Sequence, residues 1–317
     1  MVLLHLDTDL GGDIDDLCAL AMLLNWPGTE LVGITSNSDD GGRRAGYARR
    51  ARELAGRTDI PVAAGADAAG GYYRVWPGLP DEAAYWPAAK GWGPVPPCPG
   101  PVEAALDLLA ASIARGATVV AIGAMTNLAL LEARQPGILR DARLVLMGGY
   151  VYSPRNGYPQ WGYQDDWNMQ VDAASALTVL QCRDPLLVPL TVTVETALTH
   201  SDLPALRSGG PLARLIAHQA LAFERDERLG ERLTPECPAL PRDFINFLHD
   251  PLACAIALGY REGVEISRVP VVSTIGNGWL TQREALSGRP TRVVAAVDGN
   301  AFNALWLRTV ADCCAYT

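Results

Sequence analysis

Five carboxylates crowd into ten residues near the start of the chain, in Asp7-Thr8-Asp9-Leu10-Gly11-Gly12-Asp13-Ile14-Asp15-Asp16. The apolar run Val2-Leu3-Leu4-His5-Leu6 precedes them and reads as a short buried strand. Leu17-Cys18-Ala19-Leu20-Ala21-Met22-Leu23-Leu24 follows and reads as a helix. Where another strand follows the helix, as the run over 31–35 does, the alternation suggests right-handed βαβ units and a parallel sheet. Helix capping explains one or two of Asp13, Asp15 and Asp16, but not Asp7 and Asp9 at the strand end as well. Such crowding is costly unless a positive charge sits within it. A hard cation with oxygen ligands suits the cluster, and without interleaved Cys or His a zinc or copper site does not.

The same alternation continues. Strands are predicted over 31–35, 60–65, 118–122, 143–147 and 186–192, and helices over 43–54, 102–114, 128–134 and 173–181. Residues 200–248 read as helical with a Pro-rich break, and an apolar helix follows over 252–258. Short strands near 264–266, 271–274 and 293–297 precede a last helix over 301–311. The expected fold class is α/β, an open, mostly parallel twisted sheet flanked by helices. No repeat, low-complexity tract or linker divides residues 1–317, so a single domain is expected.

Two stretches break the pattern. Residues 67–101 are rich in Pro and Gly and hold Tyr72, Tyr73, Trp76, Tyr85, Trp86 and Trp92. They read as a packed surface flap or as an aromatic wall over a ligand. Residues 150–167 form a second aromatic loop leading into Asn168.

Composition excludes several functions. With 49% hydrophobic and 19% charged residues, the chain can bury a large core. A net charge of −9 argues against a nucleic-acid partner, which would need a basic face. The seven cysteines form no CxxC pair and read mostly as small core residues. There is no basic leader and no apolar run long enough for a membrane span, so a cytoplasmic protein is expected.

Four strand ends thus offer polar groups to one place: Asp7 to Asp16, Asp39 with Asp40, Thr126 with Asn127, and Asn168. His249-Asp250 adds a fifth contribution at a helix start. In this order the motifs DTDxGxDxDD, GIT with a polar turn, GAxTN, WN with an Asp four residues on, and HDP resemble the nucleoside hydrolase family, inosine- and uridine-preferring members included. The likeness extends to Thr281-Gln282-Arg283 and Val297-Asp298.

The resemblance implies calcium-dependent hydrolysis of the N-glycosidic bond of a ribonucleoside. Carried over by position, the Ca²⁺ ligands fall on Asp9, Asp16, the Thr126 carbonyl and Asp250, with Asp9 also the general base toward a metal-bound water. Asp15 and Asn168 match positions that hold the ribose hydroxyls, Asp166 one near the 5′-hydroxyl, and Asp40 one that is usually Asn. His249 matches a general acid of some relatives; others stack the base between tryptophans, for which Trp86 and Trp92 are candidates here. A homodimer or homotetramer is expected, as in the relatives.

Departures accompany the likeness. The acidic turn is two residues longer than usual, leaving Asp13 or Asp15 for the ribose. A frequent Asp-Val-Thr-His segment reads Thr191-Val192-Thr193-Val194, and a histidine expected within 70–95 is absent.

Three rival readings exist. A phosphatase of the haloacid dehalogenase type would use Asp7 as nucleophile but needs a downstream lysine; the only one, Lys90, lies in the Pro-Gly stretch. An EF-hand starting at Asp7 would need a carboxylate where Cys18 stands. The third is a protein that binds nucleosides or a modified ribosyl compound without turnover.

Overall fold

The computed structural model describes residues 1–67, 78–182 and 184–311, apart from the side chains of Asp40 and Cys182. Eleven strands occur among them: β1 Val2–Thr8, β2 Thr29–Ser36, β3 Val62–Ala63, β4 Thr118–Ala121, β5 Arg143–Met147, β6 Leu186–Val188, β7 Leu198–Thr199, β8 Phe244–Asn246, β9 Glu265–Gly276, β10 Trp279–Glu284 and β11 Arg289–Ala296. Nine form one sheet in the order β10-β9-β11-β6-β5-β4-β1-β2-β3, and β7 pairs with β8 separately. From β3 to β11 every neighbour is parallel; β9 runs antiparallel to both β11 and β10.

The parallel strands are buried on both faces, as helices on either side require. Along β4, Val120 joins Leu4, Leu6 and Ile34 in one core layer, while Val119 and Ala121 join Leu144, Leu146 and Leu187 in the other. The helix Asp15–Asn25 packs against His249–Ala257, where Cys18 and Cys254 are fully buried small residues that allow close approach. Strand order reverses at β1: the chain moves outward to β2 and β3, then returns to β4 on the other side. Ligand crevices form outside the carboxyl ends of strands at such a switch point, and Asp9 stands there.

Several expectations differ in detail, among them the helical reading up to residue 248, where Phe244–Asn246 is instead the strand β8. The predicted strand over 186–192 ends at Val188, because Pro189 has no N–H for the ladder and instead starts the short helix Leu190–Thr193. The two short strands near 264–266 and 271–274 are one twelve-residue strand, β9. Its partner β10 was not expected; Asn277 and Gly278, at φ 52° and 85°, make the two-residue turn between them. No helix among the described residues is long and apolar enough to cross a membrane.

Candidate active site

A cavity of about 600 Å³ opens at the switch point. Its floor is acidic. The carboxylate oxygens of Asp15, Asp16 and Asp250 lie within 4.8 Å of one another, and all three residues are buried. Local hydrogen bonds hold them. The Asp250 N–H donates to Asp15 Oδ2 at 3.3 Å, the Asp16 N–H to Asp15 Oδ1 at 3.1 Å, and the Thr8 hydroxyl to Asp16 Oδ1. Burial pushes these three carboxyls well above the ordinary range, and repulsion from neighbouring carboxylates adds to it. Protons or a bound cation can relieve that state, and a set of buried oxygens this close fits a hard divalent ion.

Asp9 stands beside the triad at the end of β1. Burial raises its carboxyl too, opposed by the Arg44 guanidinium and by a hydrogen bond from Trp167. Arg44 is itself buried and lines the cavity, with Nη2 3.8 Å from Asp9 Oδ2. Asp9 fits because residue 123 is glycine: a Cβ there would come within 2.7 Å of Asp9 Oδ1 and 2.4 Å of Asn37 Oδ1.

Asp7 plays a different part. Fully buried, it accepts from the Thr35 hydroxyl at 2.5 Å, Asn127 Nδ2 at 2.8 Å and Asn37 Nδ2 at 3.0 Å. It knots three strand ends together behind the cavity and is not part of its lining. Asp39 is likewise engaged, accepting from the Ser36 hydroxyl and from the backbone N–H groups of Arg44 and Ala45.

Asp13, the alternative to Asp15, lines the cavity and accepts from Asn246 Nδ2 at 2.5 Å and the Asp15 N–H at 3.2 Å. Asp166 caps the short helix Trp167–Gln170 and accepts the Gly149 N–H at 2.6 Å; burial raises its carboxyl to about 6. Asn168 donates to the carbonyls of Ile122 and Met147 at 3.1 and 3.2 Å, tying the cavity to the ends of β4 and β5. Thr126 starts the helix Thr126–Arg134, and its hydroxyl donates to Asp172 at 2.7 Å. The Asp40 side chain lies outside the described residues.

His249 opens the helix His249–Ala257 at the apolar side of the cavity. Burial lowers its pKa to about 3, so the ring is neutral. Nδ1 lies 2.7 Å from the Thr193 hydroxyl, and the ring packs 4.9 Å from Phe247 and 6.5 Å from Trp161.

The aromatic wall is not the expected one. Trp86 is 2% exposed and stacks on Tyr47 at 5.3 Å in the core, and Trp92 packs against His218. Neither lines the cavity; Tyr85, Trp161, Trp167, Phe223 and Phe247 do. Tyr72, Tyr73 and Trp76 lie outside the described residues. Sequence reasoning also missed Arg44 and Asn246. Trp161 carried a readable signal, since it belongs to the second aromatic loop, just ahead of Asn168.

Fold and site together define an α/β protein with a cavity over buried carboxylates at a sheet switch point. Over residues 4–304 the chain matches the inosine-uridine preferring nucleoside hydrolase family, and it belongs to that family. It is thus a nucleoside hydrolase, an enzyme of the N-glycosidase class. The pyrimidine-specific ribonucleoside hydrolase RihA of Klebsiella pneumoniae is 28% identical over 270 residues, covering 80% of this chain and 77% of that protein. The RihA of an Escherichia coli O139:H28 strain is 30% identical over the same shares. Solved structures share the fold: a plant nucleoside hydrolase, PpNRh1, at TM-score 0.77 and 20% identity, covering 98% of this chain and 99% of that one. A purine-preferring ribonucleoside hydrolase from Gardnerella vaginalis superposes at TM-score 0.74 and 22% identity, covering 98% of both chains.

Proposed function

We propose that this enzyme hydrolyses the N-glycosidic bond of ribonucleosides to ribose and free base, and does so with a bound Ca²⁺ ion. The buried triad of Asp15, Asp16 and Asp250 carries the reading. Asp9, Asp16, Asp250 and the Thr126 carbonyl are the proposed ligands, with Asp15 adjoining them. When bound, the cation supplies positive charge that anchors ribose hydroxyls and makes a neighbouring water more acidic.

The chain's own groups do the rest. Asp9 takes a proton from the attacking water, whose oxygen bonds to C1′. The C1′–N bond breaks with its electron pair leaving on the base, whose nitrogen takes a proton from solvent water while the proton on Asp9 returns to solvent, through a state of oxocarbenium character as in other glycosidic cleavage. Asp15 and Asn168 hold the ribose hydroxyls, and Asp166 faces the 5′-hydroxyl. Asp40 stands near the sugar by position in the family pattern. Phe247 and Trp161 form an apolar wall for the base, and His249 adjoins it. The working form is a homodimer or homotetramer, which light scattering would size.

The test is release of reducing sugar from a panel of purine and pyrimidine ribonucleosides, with phosphate omitted and with or without a chelator. Chelator-sensitive release, lost by about a thousandfold in Asp9→Asn, is the expected result. No release from any nucleoside by calcium-loaded protein overturns the reading.

A further inference from the structure

The Thr193 hydroxyl has one proton to give and two lone pairs to offer. It lies 3.2 Å from the Leu190 carbonyl, one turn back in the helix Leu190–Thr193, and 2.7 Å from His249 Nδ1. Both bonds exist together in only one assignment. The hydroxyl donates to Leu190 and accepts from a proton on Nδ1. A neutral imidazole has a single N–H, so Nε2 is then a bare lone pair. Among the described residues Nε2 takes no hydrogen bond, while His249 lines the cavity. The ring is confined by Phe247, 4.9 Å away at an interplanar angle of 30°, and by Trp161 at 6.5 Å and 47°. With the ring confined, the tautomer is what Thr193 controls.

We infer that Thr193 is a positioning residue that locks His249 as the Nδ1–H tautomer, so that Nε2 accepts a hydrogen bond from an N–H of the nucleobase. This rests on the nucleoside-hydrolase reading above and adds a substrate class, bases that turn an N–H toward the Trp161–Phe247 wall. It also reverses the direction of the hydrogen bond expected from the resemblance. A lone pair facing the base receives a hydrogen bond; it has no proton to deliver to the leaving group. Such a contact forms with the bound substrate and persists through the reaction, so it governs KM more than kcat.

Two measurements test it. The first is a two-bond ¹H–¹⁵N correlation spectrum of the whole protein labelled in its four histidines, with His249→Gln used only to assign the signal. The expected pattern has Nδ1 protonated and Nε2 bare in the native protein. In Thr193→Val the acceptor is gone and the proton moves to Nε2; in Thr193→Ser the native pattern returns. A native pattern with the proton on Nε2 overturns the inference.

The second compares a nucleoside with nitrophenyl riboside, whose leaving group has no N–H. Thr193→Val is expected to raise KM for the nucleoside about tenfold, the worth of one hydrogen bond, with kcat nearly unchanged. The nitrophenyl substrate should be unaffected, and Thr193→Ser should restore the nucleoside. Equal losses on both substrates overturn the inference, because they mark a merely structural role. Absence of any nucleoside hydrolysis would fail the function proposed above, while the spectrum still decides the tautomer.

Discussion

The guanidinium of Arg44 lies 3.8 Å from the carboxylate of Asp9, and both belong to the wall of one cavity. Arg44 is 2% exposed and also donates from Nε to the Ser38 carbonyl at 2.9 Å. A buried cation among this many carboxylates offsets part of their repulsion. Removing it leaves the largely covered Asp9 beside like charges. Arg44→Met is therefore expected to lower the unfolding free energy of the metal-free protein by on the order of 3 kcal/mol. Urea denaturation would read the change, and a loss below about 0.5 kcal/mol would mean that the pair carries no weight.

Gly123→Ala tests how closely Asp9 must be placed. The added methyl would lie 2.4 Å from Asn37 Oδ1 and 2.7 Å from Asp9 Oδ1. Asn37 cannot retreat, because it donates to Asp7 at 3.0 Å and accepts the Ala124 N–H at 2.9 Å. Asp9 moves instead. An ångström of displacement at a reacting group is enough for about a hundredfold fall in kcat, measured on any nucleoside that is turned over. An unchanged kcat would remove Asp9 from the chemistry.

Glu195 links pH to stability. Its side chain is 2% exposed, lies 3.3 Å from Arg155, and among the described residues has no hydrogen-bond partner on Oε1. Burial raises its pKa from 4.5 to about 7; Asp298 adds to the rise and Arg155 opposes it. Between those values the native state holds the proton more tightly than the unfolded state. Stability therefore falls as pH rises through that window. Glu195→Gln has no proton to lose, so its melting temperature is expected to fall less from pH 5 to pH 7 than that of the native protein. Parallel slopes would reject the assignment.

The tryptophans separate binding from packing. Trp161→Ala removes a wall of the cavity and is expected to raise KM about tenfold with little change in melting temperature. Trp86→Ala removes a core ring stacked on Tyr47 and is expected to lower stability by about 3 kcal/mol or more, leaving KM of the folded fraction unchanged. Steady-state kinetics and thermal melts on both variants check the contrast. A raised KM in Trp86→Ala alone would return the base to the wall first expected.

Local patterns carried most of the architecture. The helix Val102–Ala114 and the strand Arg143–Met147 have the bounds that periodicity indicates, because each is an uninterrupted apolar pattern. The β9–β10 hairpin was legible only in part. Each of its strands has only one fully buried residue, so their apolar signal is weak, and Asn277-Gly278 was the stronger cue. At the site, Asp9 and Asp16 stand out in the dense acidic turn, and Asp250 in the HDP motif at a helix start. Arg44 did not, since an arginine in a helix of several arginines looks solvated until tertiary packing buries it. Trp86 misled for the converse reason: a tryptophan in a Pro-Gly loop looks available until Tyr47 covers it.

Asp15 accepts its hydrogen bond from the Asp250 N–H, 235 positions along the chain. The pocket floor therefore does not exist while the protein is being made. A ribosome has to release the chain well beyond residue 250 before the first loop can meet its partner. Until then the acidic loop at the N-terminus remains hydrated, with no neighbour to press it into an apolar core. Completion of the cavity and completion of the fold then coincide, and a chain cut short before Asp250 lacks one carboxylate of the buried triad.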